Sequence, residues 1–283
     1  FTSASTLEFM KLVIEEADLP PGVVNVVTGY GAEAGEALVK HPKVSKIAFT
    51  GGSATGSHVA ALASSQFKKV SLELGGKSPN IVFDDCNMAD AVSGAISGLF
   101  AAPGQTCIAG SRLLVQENIH DEFVEKLVAM AKTAKLGNPM QFETQVGPVT
   151  TPPQYEKILS YLDVAKGEGA ECVMGGGPAG EDIGGGKYFV QPTVFTGVDN
   201  AMRIAQEEVF GPVLSVIKFK DEDDAARIAN DIMYGLGSGV WTQNLRRATS
   251  MAQRIRAGTV WVNTYRAVSF TMPFGGYKSS GLG

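Results

Sequence analysis

Short apolar runs alternate with helical patterns over most of this chain, and this alternation constrains the fold more than any other feature of the sequence. A helical pattern over Leu7–Ala17 is followed by VVNVV (Val23–Val27), and a second one over Ala32–Lys40 is followed by VSKIAFT (Val44–Thr50). Strands that alternate with helices at this spacing are joined by right-handed crossovers and lie parallel in a sheet covered on both faces. The sequence therefore predicts an α/β fold.

The alternation restarts after Lys77, which predicts a second α/β lobe. The other predicted helices are Ser53–Ser64, Met88–Ala101, Asp121–Lys135, Pro153–Lys166 and Ala225–Met233. The other predicted strands are Lys69–Leu74, Asn80–Phe83, Arg112–Gln116, a strand within Tyr188–Phe195, Val213–Phe219 and Thr259–Asn263, with a glycine-rich loop at Gly184–Gly186.

Composition and charge exclude several classes of function. The chain of 283 residues has 44% hydrophobic residues, and its longest apolar runs are far shorter than the roughly 18 residues of a membrane span. The net charge of −5 and the scattered Lys and Arg residues argue against nucleic acid as a partner. The three cysteines lack metal-binding spacing, so we expect no metal site and a reducing compartment, most simply the cytoplasm. The chain opens inside a helical pattern and without Met, so we also expect it to be a fragment.

Two glycine-rich segments follow predicted strands and precede predicted helices. In TGYGAEAG (Thr28–Gly35) the glycine spacing departs from the dinucleotide-binding fingerprint, so tight packing of helix on sheet explains it equally well. FTGGSATG (Phe49–Gly56) places Thr50, Gly51, Gly52 and Ser53 where backbone N–H groups at a helix start bind a pyrophosphate. We therefore expect phosphate binding at the second segment.

Two residues are candidates for chemistry. Glu73 ends an apolar strand before a Gly-Gly turn, where burial raises the pKa of a carboxyl group and suits it to act as a general base, although a surface glutamate at a strand end fits the same pattern. Cys107 lies in PGQTCIAG (Pro103–Gly110), a turn-like segment that a substrate can approach, rather than in an apolar run. Glu73 can activate the Cys107 thiol directly or through water if the two lie at one cleft.

Together these segments resemble the NAD(P)-dependent aldehyde dehydrogenase superfamily. The motifs that carry the resemblance are FTGGSATG, LELGGKSPN, PGQTCIAG, EEVFGPV (Glu207–Val213), WVNTY (Trp261–Tyr265) and PFGGYKSSG (Pro273–Gly281), in that order. The segment GVVNVVTGYG also resembles the family, so the likeness covers essentially the whole chain. It implies a partial Rossmann-like cofactor domain in residues 1–75, a second α/β catalytic domain in 76–272 and a truncated return segment in 273–283.

The resemblance implies a mechanism for Cys107 and Glu73. Cys107 attacks the aldehyde carbon to form a thiohemiacetal, hydride leaves to the nicotinamide of NAD or NADP, and water activated by Glu73 hydrolyses the remaining thioester. On the cofactor side it implies phosphate contacts at Gly51, Gly52, Ser53 and Gly56, a ribose contact at Glu208 and a nicotinamide contact at Phe210. Gly52 replaces the serine usual in the family, which backbone N–H groups tolerate.

Further expectations concern the substrate channel and partners. The resemblance places Thr106 and Ile108 beside the channel and YRAVSFTM (Tyr265–Met272) at its mouth, where Arg266 would favour an aldehyde with a remote carboxylate and Phe274 adds an apolar wall. An outward, solvated Arg266 is the alternative. The family's oxyanion-hole asparagine and adenosine-ribose lysine are expected upstream of Phe1, and relatives form homo-oligomers, dimers or tetramers.

Two other functions remain open from the sequence. Some family members transfer the acyl group to coenzyme A rather than to water, and Glu73 favours hydrolysis. A structural or subunit-binding remnant is the second alternative, and the presence of both Cys107 and Glu73 argues against it. The sequence does not distinguish NAD from NADP.

Overall fold

The computed structural model describes residues 2–180, 183 and 187–283, so the glycine-rich loop expected at Gly184–Gly186 lies outside the described residues. The chain forms two compact units. The first comprises residues up to Phe49 together with Ala54–Ser71, and the second comprises Thr50–Ser53 and Leu72–Gly283.

The first unit contains helices and a small sheet. Its helices are Ala4–Glu16 (α1), Glu36–Lys40 (α2), which follows a π-helical turn at Gly31–Gly35, and Ser53–Ser64 (α3), whose first residue belongs to the second unit. Lys46–Thr50 (β1) and Lys69–Glu73 (β2) form a two-stranded sheet. From α2 to β2 these elements confirm the predicted alternation of helices with strands.

The strand predicted at Val23–Val27 was wrong. The segment has no regular structure, and the side chain of Val23 is 63% exposed. The Asn25 side-chain amide donates a hydrogen bond to the Gly22 carbonyl at 2.9 Å, which closes a local turn instead. A strand requires a neighbour for its backbone N–H and C=O groups, and no described strand pairs with this segment.

The second unit is built on a seven-stranded sheet. Its strands are Pro79–Val82 (β3), Arg112–Gln116 (β4), Glu171–Met174 (β5), Thr193–Thr196 (β6), Val213–Phe219 (β7), Gly237–Trp241 (β8) and Thr259–Val262 (β9). The spatial order is β5-β6-β7-β4-β3-β8-β9, and every neighbouring pair is parallel except β5 and β6. The predicted α/β fold with a parallel sheet is confirmed.

Helices cover both faces of this sheet. They are Met88–Phe100 (α4), His120–Ala131 (α5), Pro152–Gly167 (α6), Arg203–Gln206 (α7), Glu222–Asn230 (α8) and Leu245–Arg254 (α9). The core forms two clusters because successive side chains of a strand point to opposite faces. Ile81 and its pairing partner Leu114 belong to one cluster, while Val82 and Val115 belong to the other.

A buried arginine fixes the start of the central strands. The side chain of Arg112, the first residue of β4, donates to the Lys77 carbonyl at 2.9 Å and to the Asn200 side chain at 2.8 Å. It also donates to the carbonyls of Ile228 and Ala229 at the end of α8, at 3.0 and 2.9 Å. A guanidinium group at the carboxyl end of a helix interacts favourably with the helix dipole. Arg112 thereby ties three segments to the amino end of β4.

Candidate active site

Most of the candidate site residues lie just before strands of the seven-stranded sheet. Cys107 precedes β4, Glu208 and Phe210 precede β7, and Glu73 ends β2 in the approach to β3. A cavity of about 240 Å³ brings several of them together. Its walls are formed by Thr50, Gly51, Gly52, Leu74, Gly75, Cys107, Gln154, Lys157, Glu208 and Phe210.

Cys107 lies half-buried on a tight turn. The turn is closed by a hydrogen bond from the Ala109 N–H to the Thr106 carbonyl at 2.9 Å. The carbonyl of Cys107 lies against Gly76, where an added Cβ atom would come within 2.3 Å of the oxygen. The second glycine of LELGGKSPN is therefore required by the close approach of the cysteine turn.

The surroundings of Cys107 oppose ionisation of its thiol. Burial raises the pKa of the Cys107 thiol, and the carboxylates of Glu208 and Glu73 raise it further, while a hydrogen bond from the Ile108 N–H lowers it. The thiolate is the nucleophilic form of cysteine. Reaction at Cys107 therefore requires a base or an electrostatic change that accompanies ligand binding.

Glu73 is half-buried, and one oxygen of its carboxylate is buried without a hydrogen-bond partner within the residues that the structure describes. Its backbone carbonyl accepts a hydrogen bond from the Gly51 N–H at 3.0 Å, and its backbone forms a bridge with Gly281. The side-chain oxygen Oε2 is buried and has no hydrogen-bond partner among the described residues. Burial raises the pKa of the Glu73 carboxyl group. These properties suit a general base that exchanges a proton with a bound water.

Glu208 forms one wall of the cavity. Its Oε1 accepts a hydrogen bond from the Gly76 N–H at 3.0 Å, and its Oε2 would lie 2.6 Å from a Cβ atom added to Gly75. Burial raises the pKa of the Glu208 carboxyl group, and the Gly76 N–H partly offsets that effect. One oxygen of Glu208 is thus fixed by the protein, and the other is able to accept from a ligand hydroxyl.

Phe210 has an unusual backbone conformation that a glutamine supports. Its φ is +56°, in the left-handed region. The Gln154 side-chain amide donates to the carbonyls of Val209 and Phe210, at 2.8 and 3.0 Å. Gln154 and Lys157 lie three residues apart on α6 and so face the same side of that helix. Sequence reasoning missed both, and the only signal was this helical spacing.

Glu73 and the other predicted site residues do not line the cavity, although Leu74 and Gly75, which follow Glu73, do. Ser53 donates from its hydroxyl to the Ser279 carbonyl at 2.7 Å. Gly56 is buried in α3, in the first unit. Thr106 is half-buried, and the side chain of Ile108 packs in the core beneath the cysteine turn.

Arg266 and Phe274 lie in the segment that follows β9. The Arg266 guanidinium donates to the Ser97 carbonyl near the end of α4, at 3.3 Å, and Phe274 is 39% exposed. Water is therefore not the sole partner of the Arg266 guanidinium group, because it also donates a hydrogen bond to the protein. The roles predicted for these residues in a substrate channel stay predictions.

Lys77 is a buried charged residue that the sequence analysis did not single out, although it lies within LELGGKSPN. It is 1% exposed, and its Nζ has no hydrogen-bond partner in the described part of the chain. Burial lowers the pKa of Lys77 to about 7, and the Arg112 charge lowers it as well. An ammonium group in this position is costly unless it loses its proton or is bound by water.

The described residues contain no group of three or more His, Cys, Asp or Glu side chains placed to bind a metal ion. Over the same residues, no helix combines the length and hydrophobicity that crossing a membrane requires. All three cysteines are free thiols.

Comparison with known proteins gives a consistent result. The model of the Aldehyde dehydrogenase family matches residues 1–283. A betaine aldehyde dehydrogenase of Mesorhizobium japonicum is 47% identical over 96% of this chain and 55% of its own length. Aldehyde dehydrogenase 1A1 of Oryctolagus cuniculus is 49% identical over 96% of this chain and 54% of its own length. The chain thus spans about half the length of the curated relatives it matches.

Solved structures match over the same extent. A betaine aldehyde dehydrogenase from Staphylococcus aureus in complex with NAD+ superimposes with a TM-score of 0.96 at 42% identity, over 99% of this chain and 56% of that one. The structure of a putative aldehyde dehydrogenase from Burkholderia cenocepacia gives a TM-score of 0.97 at 46% identity, over 100% of this chain and 57% of that one.

Proposed function

Because this chain belongs to the aldehyde dehydrogenase family, we propose that it oxidises an aldehyde to a carboxylic acid with NAD+ or NADP+, using Cys107 as nucleophile and Glu73 as general base. The observation that carries the proposal is the single cavity lined by Cys107, Glu208 and the glycines Gly51 and Gly52. It combines a nucleophile, an acceptor for a sugar hydroxyl and exposed backbone at a strand end. No metal takes part in this proposal.

The residues that line the cavity suit the nicotinamide, ribose and phosphate part of a dinucleotide. A Cβ atom added to Gly52 would have no neighbour within 4 Å, so this wall leaves room for a ligand against the backbone. Glu208 has one carboxylate oxygen fixed by Gly76 N–H and one that is not, which suits a ribose hydroxyl. We assign the phosphates to Gly51, Gly52 and Ser53 and the nicotinamide ring to Phe210, and Gly56 remains a prediction from its motif. When bound, NAD(P)+ supplies the hydride acceptor for oxidation of the aldehyde adduct.

Cys107 forms and later releases the covalent adduct. Its thiol loses a proton to a base, the sulfur adds to the aldehyde carbon, and the aldehyde oxygen becomes the oxyanion of a thiohemiacetal. We assign the stabilisation of this oxyanion to backbone N–H groups of the cysteine turn. Oxidation of the adduct leaves a thioester on Cys107. The cysteine sulfur is then the leaving group of the second half-reaction.

Glu73 completes the reaction with water. Its carboxylate removes a proton from a water molecule, the resulting hydroxide adds to the thioester carbon, and the carbon–sulfur bond breaks to give the carboxylic acid and the Cys107 thiolate. The raised pKa of Glu73, caused by burial, brings its proton affinity closer to neutrality. The unsatisfied Oε2 supplies the acceptor that this step needs. Hydrolysis is for this reason preferred to transfer to coenzyme A.

The organisation of the whole protein belongs to the same proposal. Residues 1–75 contribute to the cofactor domain, 76–272 form the catalytic domain and 273–283 return toward the cofactor domain. A homo-oligomer and a cytoplasmic location are further parts of it, supported by the family and by the three free thiols.

The test compares variants of the full polypeptide that carries these residues. We expect NAD(P)-dependent oxidation of an aldehyde panel to be abolished in Cys107→Ser and retained in Cys86→Ser, since Cys86 does not line the cavity. Glu73→Gln is expected to give a burst of about one equivalent of reduced cofactor per site followed by slow turnover, because the thioester accumulates. Full turnover by Cys107→Ser would overturn the proposal. If the product in the presence of coenzyme A is an acyl thioester rather than the acid, the protein transfers the acyl group to coenzyme A instead of to water.

A further inference from the structure

Tyr265 holds the cysteine turn from below. It lies just after β9, its side chain is buried, and its hydroxyl donates a hydrogen bond to the Ile108 carbonyl at 2.9 Å. Ile108 directly follows Cys107. The hydroxyl therefore contacts the backbone of the turn one residue from the sulfur.

Three glycines from separate segments make room for the Tyr265 ring. A Cβ atom added to Gly98 in α4 would lie 2.9 Å from the ring, one on Gly110 after the cysteine turn 3.0 Å, and one on Gly239 in β8 2.6 Å. The Gly110 N–H also donates to the Gly98 carbonyl at 3.1 Å. A ring enclosed in this way has one position, so the hydroxyl has one position too.

Ile108 connects that hydroxyl to the sulfur. Its carbonyl accepts from Tyr265, and its amide nitrogen forms the peptide bond that joins it to Cys107. We propose that Tyr265 is a positioning residue for Cys107: it fixes the Ile108 carbonyl and thereby holds the turn that carries the sulfur in place. This inference rests on the proposed function, in which Cys107 is the nucleophile.

The charges around the sulfur make the position of the cysteine turn important. Glu208 and Glu73 face Cys107 with negative charge, and Lys157 is the cation that lines the same cavity. Burial is the largest influence that raises the pKa of the Cys107 thiol, and the Ile108 N–H is the main influence that lowers it. If Ile108 loses its anchor, the sulfur can move relative to these carboxylates and to the backbone N–H groups of the turn.

The test is Tyr265→Phe, which removes one oxygen atom and keeps the ring that fills the glycine-lined space. The readout is the rate of iodoacetamide alkylation of Cys107 against pH, which follows the thiolate fraction and requires neither cofactor nor turnover. Trypsin releases Cys107 and Cys86 on one peptide, Ser78–Arg112, so fragment masses report both cysteines in one measurement. Cys86 is the internal reference, since burial raises the pKa of its thiol to about 11.

We expect alkylation of Cys107 in Tyr265→Phe to be about fivefold slower near neutral pH, with the profile moved to higher pH and Cys86 unchanged. The value of kcat is expected to fall by a similar factor while KM for the cofactor stays the same. The matched control is Ser215→Ala, which removes another buried hydroxyl that donates to a main-chain carbonyl, that of Ile204 at 3.2 Å. It is expected to lower Tm without moving the Cys107 profile.

A second variant keeps the hydroxyl and displaces the ring. Gly98→Ala adds a methyl group against Tyr265 and is expected to move the alkylation profile in the same direction as Tyr265→Phe. An unchanged Cys107 profile in folded Tyr265→Phe, judged by its near-ultraviolet circular dichroism, would overturn the positioning role. That result is distinct from failure of the proposed function, which would appear as turnover without Cys107.

Discussion

Gly75 faces Glu208 so closely that a methyl group on Gly75 would lie 2.6 Å from the carboxylate oxygen Oε2 of Glu208. The ring of Tyr234 also lies close to Gly75, since the same methyl group would lie 3.2 Å from a ring carbon. The first glycine of LELGGKSPN therefore sets the position of the carboxylate that we assign to the cofactor ribose. The second glycine, Gly76, in the same way allows the close approach of the cysteine turn.

Gly75→Ala is expected to raise KM for the cofactor about tenfold, because the added methyl group displaces the Glu208 carboxylate and weakens a charge-assisted hydrogen bond. The measurement is steady-state kinetics at saturating aldehyde. Gly167→Ala serves as the control, since an added Cβ atom there has no neighbour within 4 Å. Equal cofactor affinity in Gly75→Ala and Gly167→Ala would refute the assignment of Glu208.

Lys77→Met is expected to stabilise the protein at neutral pH by ~1–4 kcal/mol, because it replaces a buried and unpaired ammonium group with an apolar side chain of similar length. The sign of its pH dependence follows from the pKa of Lys77, which burial lowers from 10.5 to about 7. The unfolded state binds the proton more strongly, so the wild type loses stability as pH falls from about 10.5 to about 7.

The gain from Lys77→Met should accordingly be largest near and below pH 7 and should shrink toward pH 10. Urea unfolding of both proteins at pH 7 and pH 9.5 measures it. A gain that grows with pH would contradict the buried, readily neutralised state of Lys77.

Arg112→Ala is expected to lower the free energy of unfolding by about 3–5 kcal/mol, because four buried oxygen atoms lose their donors at once. The control is Arg246→Ala, which removes an exposed arginine whose ion pair with Glu222 spans 3.5 Å. It should change stability by less than about 1 kcal/mol. Similar unfolding midpoints for the two variants in urea would show that the Arg112 network contributes little.

Arg266→Ala tests the predicted preference for an aldehyde that carries a remote carboxylate. We expect kcat/KM for a semialdehyde acid to fall about tenfold relative to its uncharged analogue, because a guanidinium–carboxylate contact is lost. The hydrogen bond of Arg266 to the Ser97 carbonyl offers a competing role, in which it only terminates α4. In that case the ratio of the two substrates stays constant while stability drops.

Local sequence patterns predicted several central strands well and failed where pairing with another strand or packing decides whether a strand forms. Strands β3, β4 and β7 were predicted to within a residue because they are short, apolar and buried on both faces. Strand β8 was missed, since GSGVW carries two glycines and little side-chain signal, yet it pairs with β3 and β9. The apolar run Val23–Val27 has the side chains that are typical of a strand, yet it forms none.

The residues of the candidate site likewise divide into those that sequence motifs predict and those that only the folded structure reveals. The family resemblance, confirmed by the comparisons, directed attention to Cys107, Glu208 and Gly51, and the structure lines one cavity with all three. The contacts of Gln154 and Tyr265 were not predicted because they join residues 56 and 157 positions apart, although Tyr265 ends the motif WVNTY. No pattern within a short window carries such information.

The four hydrogen bonds of Arg112 also determine how the molecule fluctuates. They join the last turn of α8 to Lys77, in the segment that carries Gly75 and Gly76. Amide protons in these two segments should therefore exchange with solvent at a common rate, because neither segment opens while the guanidinium group binds the other. The cavity wall that carries Gly75 and the last turn of α8 then open to solvent as a single cooperative unit.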